Sequence, residues 1–434
     1  MPIFPRLSHF YAFGVLVGIF LLSLSCKQPE PQVQPPPFTA TVNTDITYQT
    51  ISGFGGASRM WGTQFLQPDE VKKVFGEGDN ELGLSIFRIR VASNPSEWPL
   101  IVEATQEAQR YGARILASPW SPPAALKSNN SDIGGRLPEE NYQAFVDHLN
   151  DFLDFMADNG IEIYAISIQN EPDIEVSYES CDWTSGHMTN FLADYGHLIE
   201  GAQVAAPESF QFNQNYTNTL LNDAEASQHF DIVAGHIYGG GLAPFPLAEQ
   251  QGKEVWMTEY LLNMGTGNAG ATPWREISEE EIWDESLEML GTIHESMLLN
   301  WNAYIWWYIQ RYYSFLGDGT EDTPDGEILK RGYAFSHFSK WVRPGFVRVD
   351  VQLNKNHPVD ITAYESADQI VVVAITPEEA PVPFLHIAVP SVSSARAFET
   401  NLTNDRQEIE ATIVDGAVKV DLDPKGVTTI VIEK

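Results

Sequence analysis

From about Ser52 to Val342, short apolar runs alternate with amphipathic stretches, and that alternation constrains the fold more than any other feature of the 434 residues. The runs are Gly53–Ser58, Leu84–Ala92, Ala113–Ser118, Ile161–Gln169, Gln203–Ala206, Ile232–Tyr238, Glu254–Glu259 and Ala303–Ile309. Each is short and apolar enough to be a strand buried on both faces. Between them Glu140–Asn159, Thr184–Ile199 and Glu279–Asn300 carry the one-sided apolar pattern of surface helices. Eight strand-and-helix units of this length predict an α/β fold, a (β/α)8 TIM barrel rather than an open sheet. No Gly-rich phosphate fingerprint follows the first run, which argues against a nucleotide-binding fold.

After Val342 the helical pattern stops. Short, regularly spaced strand-like runs continue from Phe346 to Ile432, the pattern of a β-sandwich. Phe38 to Ile51 also alternates apolar and polar residues, and is expected to pair into that sandwich from the other side of the barrel. The predicted units are therefore residues 53–342 as the barrel and 39–52 plus 343–434 as a discontinuous side domain.

The first residues read as a targeting signal. Arg6 precedes an apolar stretch, Phe10 to Leu24, too short for a confident membrane span. Ser23-Leu-Ser-Cys26 then resembles the end of a bacterial lipoprotein signal, although Ser23 stands where leucine is usual. That resemblance implies a leader over residues 1–25 and lipid on Cys26. A Pro- and Gln-rich tether over 26–38 would hold the rest of the chain off the membrane. The expectation is export, to the outer membrane or cell surface, or to the periplasm or medium. With Cys26 acylated, Cys181 has no partner and no disulfide framework is possible.

The formal net charge of −34 repels nucleic acid and anionic membrane surfaces, leaving a lipid anchor as the only membrane contact. It also disfavours densely anionic polysaccharides. No HExxH or Cys/His cluster is present, and the acidic run Asp318 to Glu327 reads as a solvated turn rather than a calcium loop. No metal or cofactor is predicted, and a monomer is the expected state.

The chemistry concentrates in two glutamates at strand ends, Glu171 after Ala165-Ile-Ser-Ile-Gln-Asn170 and Glu259 after Trp256-Met-Thr258. The carboxyl ends of barrel strands form the rim where active sites are built. Two carboxylates converging there are what glycoside hydrolysis requires. Asn170 is suited to a hydrogen bond with the sugar 2-hydroxyl. His236, Tyr238 and Trp306 stand at the ends of other runs and are expected to line the same rim. Burial would raise the pKa of a lone Glu259, so an ionised nucleophile needs support, and an inward-facing Arg88 is the candidate for it.

Several motifs carry a family resemblance. They are Gly53-Phe-Gly-Gly56, Leu84-Ser-Ile-Phe-Arg-Ile-Arg90, Ser118-Pro-Trp-Ser-Pro-Pro123, Tyr164 to Pro172, Ala206-Pro-Glu-Ser-Phe210, His236-Ile-Tyr238, Trp256-Met-Thr-Glu259 and Tyr304 to Arg311. In this order they resemble glycoside hydrolase family 30, and within it the bacterial glucuronoxylan endo-β-1,4-xylanases. The resemblance implies a retaining enzyme with Glu171 as acid/base, Glu259 as nucleophile and their carboxyl groups about 5–5.5 Å apart. It places Trp120 at the subsite of the cleaved xylose, and Trp307, Tyr308 and Arg311 around a glucuronic acid branch of the polysaccharide substrate. Two departures stand out. Gln310 replaces the first of a usual arginine pair. The loop after Glu259, which normally supplies a tyrosine and a serine, runs through Met264–Gly270 into Glu276, Glu279, Glu280 and Glu281, acidic enough to repel a uronic acid. The alternatives are a β-glucanase or exo-acting xylosidase on the same scaffold, or a non-catalytic surface glycan-binding lipoprotein.

Overall fold

The computed structural model describes residues 38–262, 271–355, 358–378 and 381–434. The leader, Cys26, the tether up to Pro37 and the Met264–Gly270 stretch lie outside the described residues. After an opening strand, β1 (Thr39–Thr50), come eight parallel strands that close into a barrel in chain order. They are β2 (Gly53–Ala57), β3 (Ile86–Val91), β4 (Arg114–Pro119), β5 (Ile163–Ser167), β6 (Gln203–Ser209), β7 (Ile232–His236), β8 (Glu254–Glu259) and β9 (Ala303–Trp306). Each is followed by one helix: α1 (Pro68–Phe75), α2 (Val102–Arg110), α3 (Tyr142–Asp158), α4 (Ser185–Tyr195), α5 (Gln214–Asn222), α6 (Pro246–Gln250), α7 (Glu279–Leu298) and α8 (Lys330–Ser339). Among the described residues no helix is long and apolar enough to cross a membrane.

Alternation along the strands sorts side chains between two cores. Ile86, Leu116, Ala165, Ala205, Ile232, Ala234, Trp256, Ala303 and Ile305 fill the barrel interior, where one tryptophan is accommodated because four neighbours are alanines. The residues between them, such as Phe87, Ile115, Met257 and Tyr304, join the larger core under the helices. Trp256 donates its indole N–H to Glu254 Oε2 at 2.6 Å, so a bulky side chain is buried without an unsatisfied donor.

The side domain comprises β1 and β10 (Val347–Leu353), β11 (Asp360–Glu365), β12 (Gln369–Thr376), β13 (Val382–Ala388), β14 (Ser394–Thr400), β15 (Gln407–Ile409), β16 (Ala411–Val414), β17 (Ala417–Leu422) and β18 (Gly426–Glu433). Its layers are parts of one continuous ten-stranded sheet, in the order β15-β14-β18-β12-β11-β10-β1-β13-β17-β16. β1 lies near its middle, antiparallel to β10 and parallel to β13. The polar β15 shows no apolar alternation in the sequence and exists through its pairing with β14, Ala397 opposite Ile409.

This sheet buttresses the last two barrel helices. His337 of α8 is buried between Thr429 Oγ1 and Thr400 Oγ1, 2.8 Å from each. Burial, aided by Arg406, holds it far below the usual histidine pKa. Trp341 stacks on Phe398 at 4.6 Å, and Trp283 of α7 donates to Lys425 O at 2.7 Å. Glu279, Glu280 and Glu281 form the first turn of α7, closed by a capping box between Ser278 and Glu281 and favoured there by the helix dipole. Lys425 of the sheet bridges Glu280 and Asp284. Glu279–Glu281, expected in the loop after Glu259, are thus helical, and Glu280 turns toward the side domain.

Candidate active site

Alternation alone aims four polar side chains into the top of the barrel. Arg88 follows Ile86, Ser118 follows Leu116, Ser167 follows Ala165 and His236 follows Ala234, each two positions beyond an inward residue. The carboxylates arrive differently. On β8 the register jumps so that Gly235 faces Met257 while His236 faces Glu259; Thr258 is the extra residue. Strict alternation would put Glu259 with Met257 on the outer face, and the bulge turns it inward opposite His236. On β6 the jump falls between Pro207 and Ser209, and the extra residue, Glu208 at φ +59°, is turned inward as well. Glu171, at φ +48°, is stapled by its own N–H to Glu208 O at 3.0 Å, while Asn170 N donates to Pro119 O at 2.8 Å. A non-glycine residue in the left-handed region costs free energy and persists where surrounding bonds over-determine it.

Arg88 is the hub. Fully buried, it donates to Glu259 Oε2 at 2.5 Å, Asn170 Oδ1 at 2.7 Å, Glu208 Oε1 at 3.1 Å and Ser118 Oγ at 3.3 Å. Its guanidinium stacks over Trp120, 4.8 Å from the ring centroid. Tyr238 donates its hydroxyl to Glu259 Oε1 at 3.0 Å, so both nucleophile-candidate oxygens are engaged. The other glutamate is held separately: His236 Nδ1 is 2.9 Å from Glu171 Oε1, and the Tyr178 hydroxyl donates to Glu171 Oε2 at 2.9 Å. Ligand atoms of Glu171, His236 and Glu259 all lie within 4.8 Å of one another. That spacing would suit a cation, but one binding there would have to compete with Arg88 and Tyr238 for Glu259.

The electrostatics follow from burial opposed by pairing. Burial pushes the Glu208 carboxyl up, but Arg88 overrides it and holds the group at about 2. Burial would lower His236, yet the Glu259 charge and the bond to Glu171 raise it to about 9, a cation at neutral pH. For Glu259 burial is again the largest influence; with Glu171 nearby it pushes the carboxyl above its ordinary value against the pull of His236 and Arg88.

Trp120 is buried against the site, and Trp307 lies 5.8 Å from it and 5.8 Å from the Arg88 guanidinium, with Tyr308 stacked on Trp307 at 3.8 Å. Trp306 is a correction. Ala303 and Ile305 point into the barrel, so Trp306 faces outward, fully buried against Phe315 and Tyr260 with the Arg331 guanidinium 5.8 Å away, and does not line the rim. Arg311 is partly exposed, 3.6 Å from Asp318 Oδ2. Gln310 turns to α1, donating to Glu70 Oε1 at 2.7 Å. Sequence reasoning missed Glu208, Tyr178 and Trp61. Glu208 had a signal, a third glutamate ending an apolar run, obscured by Pro207. Trp61, 40% exposed, meets Trp120 edge-on at 5.6 Å and donates to Glu179 at 2.9 Å; neither it nor Tyr178 has a local sequence signature.

Residues 71–307 match the family model of the glycosyl hydrolase family 30 TIM-barrel domain. The chain is 39% identical over 345 residues to the glucuronoxylanase XynC of Bacillus subtilis (strain 168), covering 77% of each protein. A second Bacillus subtilis glucuronoxylanase XynC is 35% identical over 406 residues, covering 91% of this chain and 92% of that one. The crystal structure of the family 30 subfamily 8 xylanase from Clostridium acetobutylicum superposes with a TM-score of 0.80 at 29% identity, covering 91% of this chain and 100% of that one.

Proposed function

We propose that this chain, which belongs to glycosyl hydrolase family 30, is a retaining endo-β-1,4-xylanase with Glu259 as nucleophile and Glu171 as acid/base. The observation that carries the roles is the unequal support of two neighbouring carboxylates. Each glutamate accepts from one tyrosine hydroxyl, Glu259 from Tyr238 and Glu171 from Tyr178; beyond that Glu259 is bonded to the permanent cation Arg88, whereas Glu171 is bonded to His236, which can carry and release a proton. An oxygen of each glutamate lies within 4.8 Å of the other, which fits the short carboxyl separation of retaining enzymes.

In the first step Glu259 attacks the anomeric carbon while Glu171 protonates the departing glycosidic oxygen, forming a glycosyl–enzyme ester. In the second, Glu171 takes a proton from water, and that water releases the sugar with net retention. Three carboxylates, Glu171, Glu208 and Glu259, face two cations, Arg88 and His236. Arg88 has only donors and therefore fixes Asn170 Oδ1 toward itself, leaving the amide NH2 for the sugar 2-hydroxyl.

Xylan as substrate is supported by the relatives named xylanases and glucuronoxylanases. Direction by a glucuronate branch is assigned to Arg311 with Trp307 and Tyr308, because a guanidinium pairs well with a carboxylate and is a local exception to the negative field. We further assign export with Cys26 lipidated, and a monomeric state. Product analysis on glucuronoxylan beside unbranched xylan, with Glu259→Gln and Arg311→Ala in parallel, tests the reading. Products each carrying one glucuronate at a fixed position, lost with Arg311→Ala, support branch direction, while equal linear products from both substrates remove it. Residual hydrolysis at wild-type rate by Glu259→Gln would sink the nucleophile assignment. Labelled fatty acid incorporated by the wild type and not by Cys26→Ala tests the anchor, and light scattering tests the monomer.

A further inference from the structure

β2 and β9 are neighbours in the barrel, so the loops that follow them meet on the rim. Arg59 comes from the first loop and Arg311 from the second, and both approach Asp318. Arg59 Nη2 donates to Asp318 Oδ2 at 3.1 Å, and Arg59 Nη1 donates to Gln64 Oε1 at 3.1 Å. Arg311 Nη1 stays 3.6 Å from the same aspartate oxygen, beyond hydrogen-bond reach. The amide and hydroxyl of Thr320 take Asp318 Oδ1 at 3.3 and 2.6 Å. The aspartate side chain is 2% exposed and the Arg311 side chain 37%. Glu321, the next acid along this loop, is engaged by Arg275 at 3.1 Å.

One buried carboxylate between two guanidiniums leaves the group with one positive charge in excess; the more exposed Arg311 is hydrogen-bonded to the Tyr313 side chain, and its field also acts on Tyr308. Without Arg59, a buried Asp318 would have Arg311 as its sole cationic partner among the described residues. A buried charge left unpaired is costly, so the aspartate would draw Arg311 in and consume its donors.

We propose that Arg59 is a positioning residue for branch recognition: by neutralising Asp318 it keeps the Arg311 guanidinium from being drawn onto that aspartate and so available to a uronate carboxylate. It compensates from a different loop for the arginine absent at Gln310, whose side chain is committed to Glu70. The inference rests on the branch reading of Arg311 given above.

The test compares kcat/KM on xylo-oligosaccharides with and without a glucuronate branch for the wild type, Arg311→Ala, Arg59→Gln, Arg59→Lys and Arg59→Gln/Asp318→Asn. Arg59→Gln is expected to lower kcat/KM on the branched substrate about tenfold, mainly through KM, and to leave the unbranched substrate unchanged. Arg59→Lys keeps the charge and the preference. Removing the aspartate charge in the double variant restores the preference, which a merely structural role for Arg59 would not do. Preference retained in a folded Arg59→Gln protein overturns the inference while Arg311→Ala can still uphold the branch reading, and failure of rescue by Asp318→Asn overturns it equally. Indifference of Arg311→Ala to the branch removes the reading and the inference together.

Discussion

Replacing Arg88 by methionine isolates what the hub contributes. The substitution keeps an apolar side chain of similar length over Trp120 and deletes four donated hydrogen bonds, to Glu259, Asn170, Glu208 and Ser118. Two fully or nearly buried carboxylates lose their permanent counter-ion, and breaking such a pair from one side costs about 3–5 kcal/mol of stability. The kinetic consequence is more diagnostic. A bonded guanidinium and carboxylate ~4 Å apart in an effective dielectric near 20 interact by about 4 kcal/mol. His236 remains as a second cation and offsets part of that loss, so the Glu259 carboxyl moves further above its ordinary value. A nucleophile must be ionised, so removing the cation raises the pH at which it becomes active. The acidic limb of kcat/KM, which reports the free enzyme's essential base, should therefore move to higher pH. Arg88→Lys should hold the limb near its wild-type position yet lose activity, because one ammonium cannot reproduce the fork that reaches Glu259, Asn170 and Glu208 together. Wild-type positioning of the acidic limb in folded Arg88→Met protein would refute the claim that Arg88 keeps Glu259 anionic.

Stability should depend on pH through two buried groups. Glu208 is held at about 2, below an ordinary glutamate, so its contribution of about 3 kcal/mol is present above pH ~4.5 and lost as pH falls toward 2. His236 is raised to about 9, so its contribution is complete below about pH 6.5 and lost as pH rises through 9. Thermal melts should thus peak between these limits, with Glu208→Gln flattening the acid side; a melt that stays level from pH 5 to 3 contradicts this. Tyr238→Phe deletes one hydroxyl donor to Glu259 Oε1 and should cost about tenfold in kcat with little change in melting, in line with ~1–1.5 kcal/mol for a single bond. Trp306→Phe should lower stability by about 1–3 kcal/mol while leaving kcat/KM near wild type, since that side chain packs under the helices; a kinetic defect with an unchanged melt would return it to the rim.

The barrel was legible because its signal is local. Apolar runs, helical faces and their count reside in windows of a few residues, and the observed strands fall on the predicted runs with ends shifted by a few positions. Alternation also made Arg88 and His236 readable as inward residues. The side-domain strands were likewise legible, except for β15, whose polar residues hold a strand only because β14 offers a partner.

Alternation applied strictly would have rejected Trp306 from the rim, correctly, and Glu259 along with it, incorrectly. What separates the two cases is a bulge, and a bulge is a relation between strands: Thr258 is extra only relative to Gly235 and His236. The same holds for Glu208, an unremarkable Pro-Glu-Ser in the chain that becomes an Arg88 partner through a slip of β6 against β7. The sequence by itself thus determined which elements form and that two strand-end glutamates are available. Tertiary structure decided which way those glutamates face, that a third joins them, and that Arg59 reaches Asp318. Periodicity belongs to neighbours in the chain, whereas register, ion pairing and burial belong to residues tens to hundreds of positions apart that only closure of the barrel brings within reach.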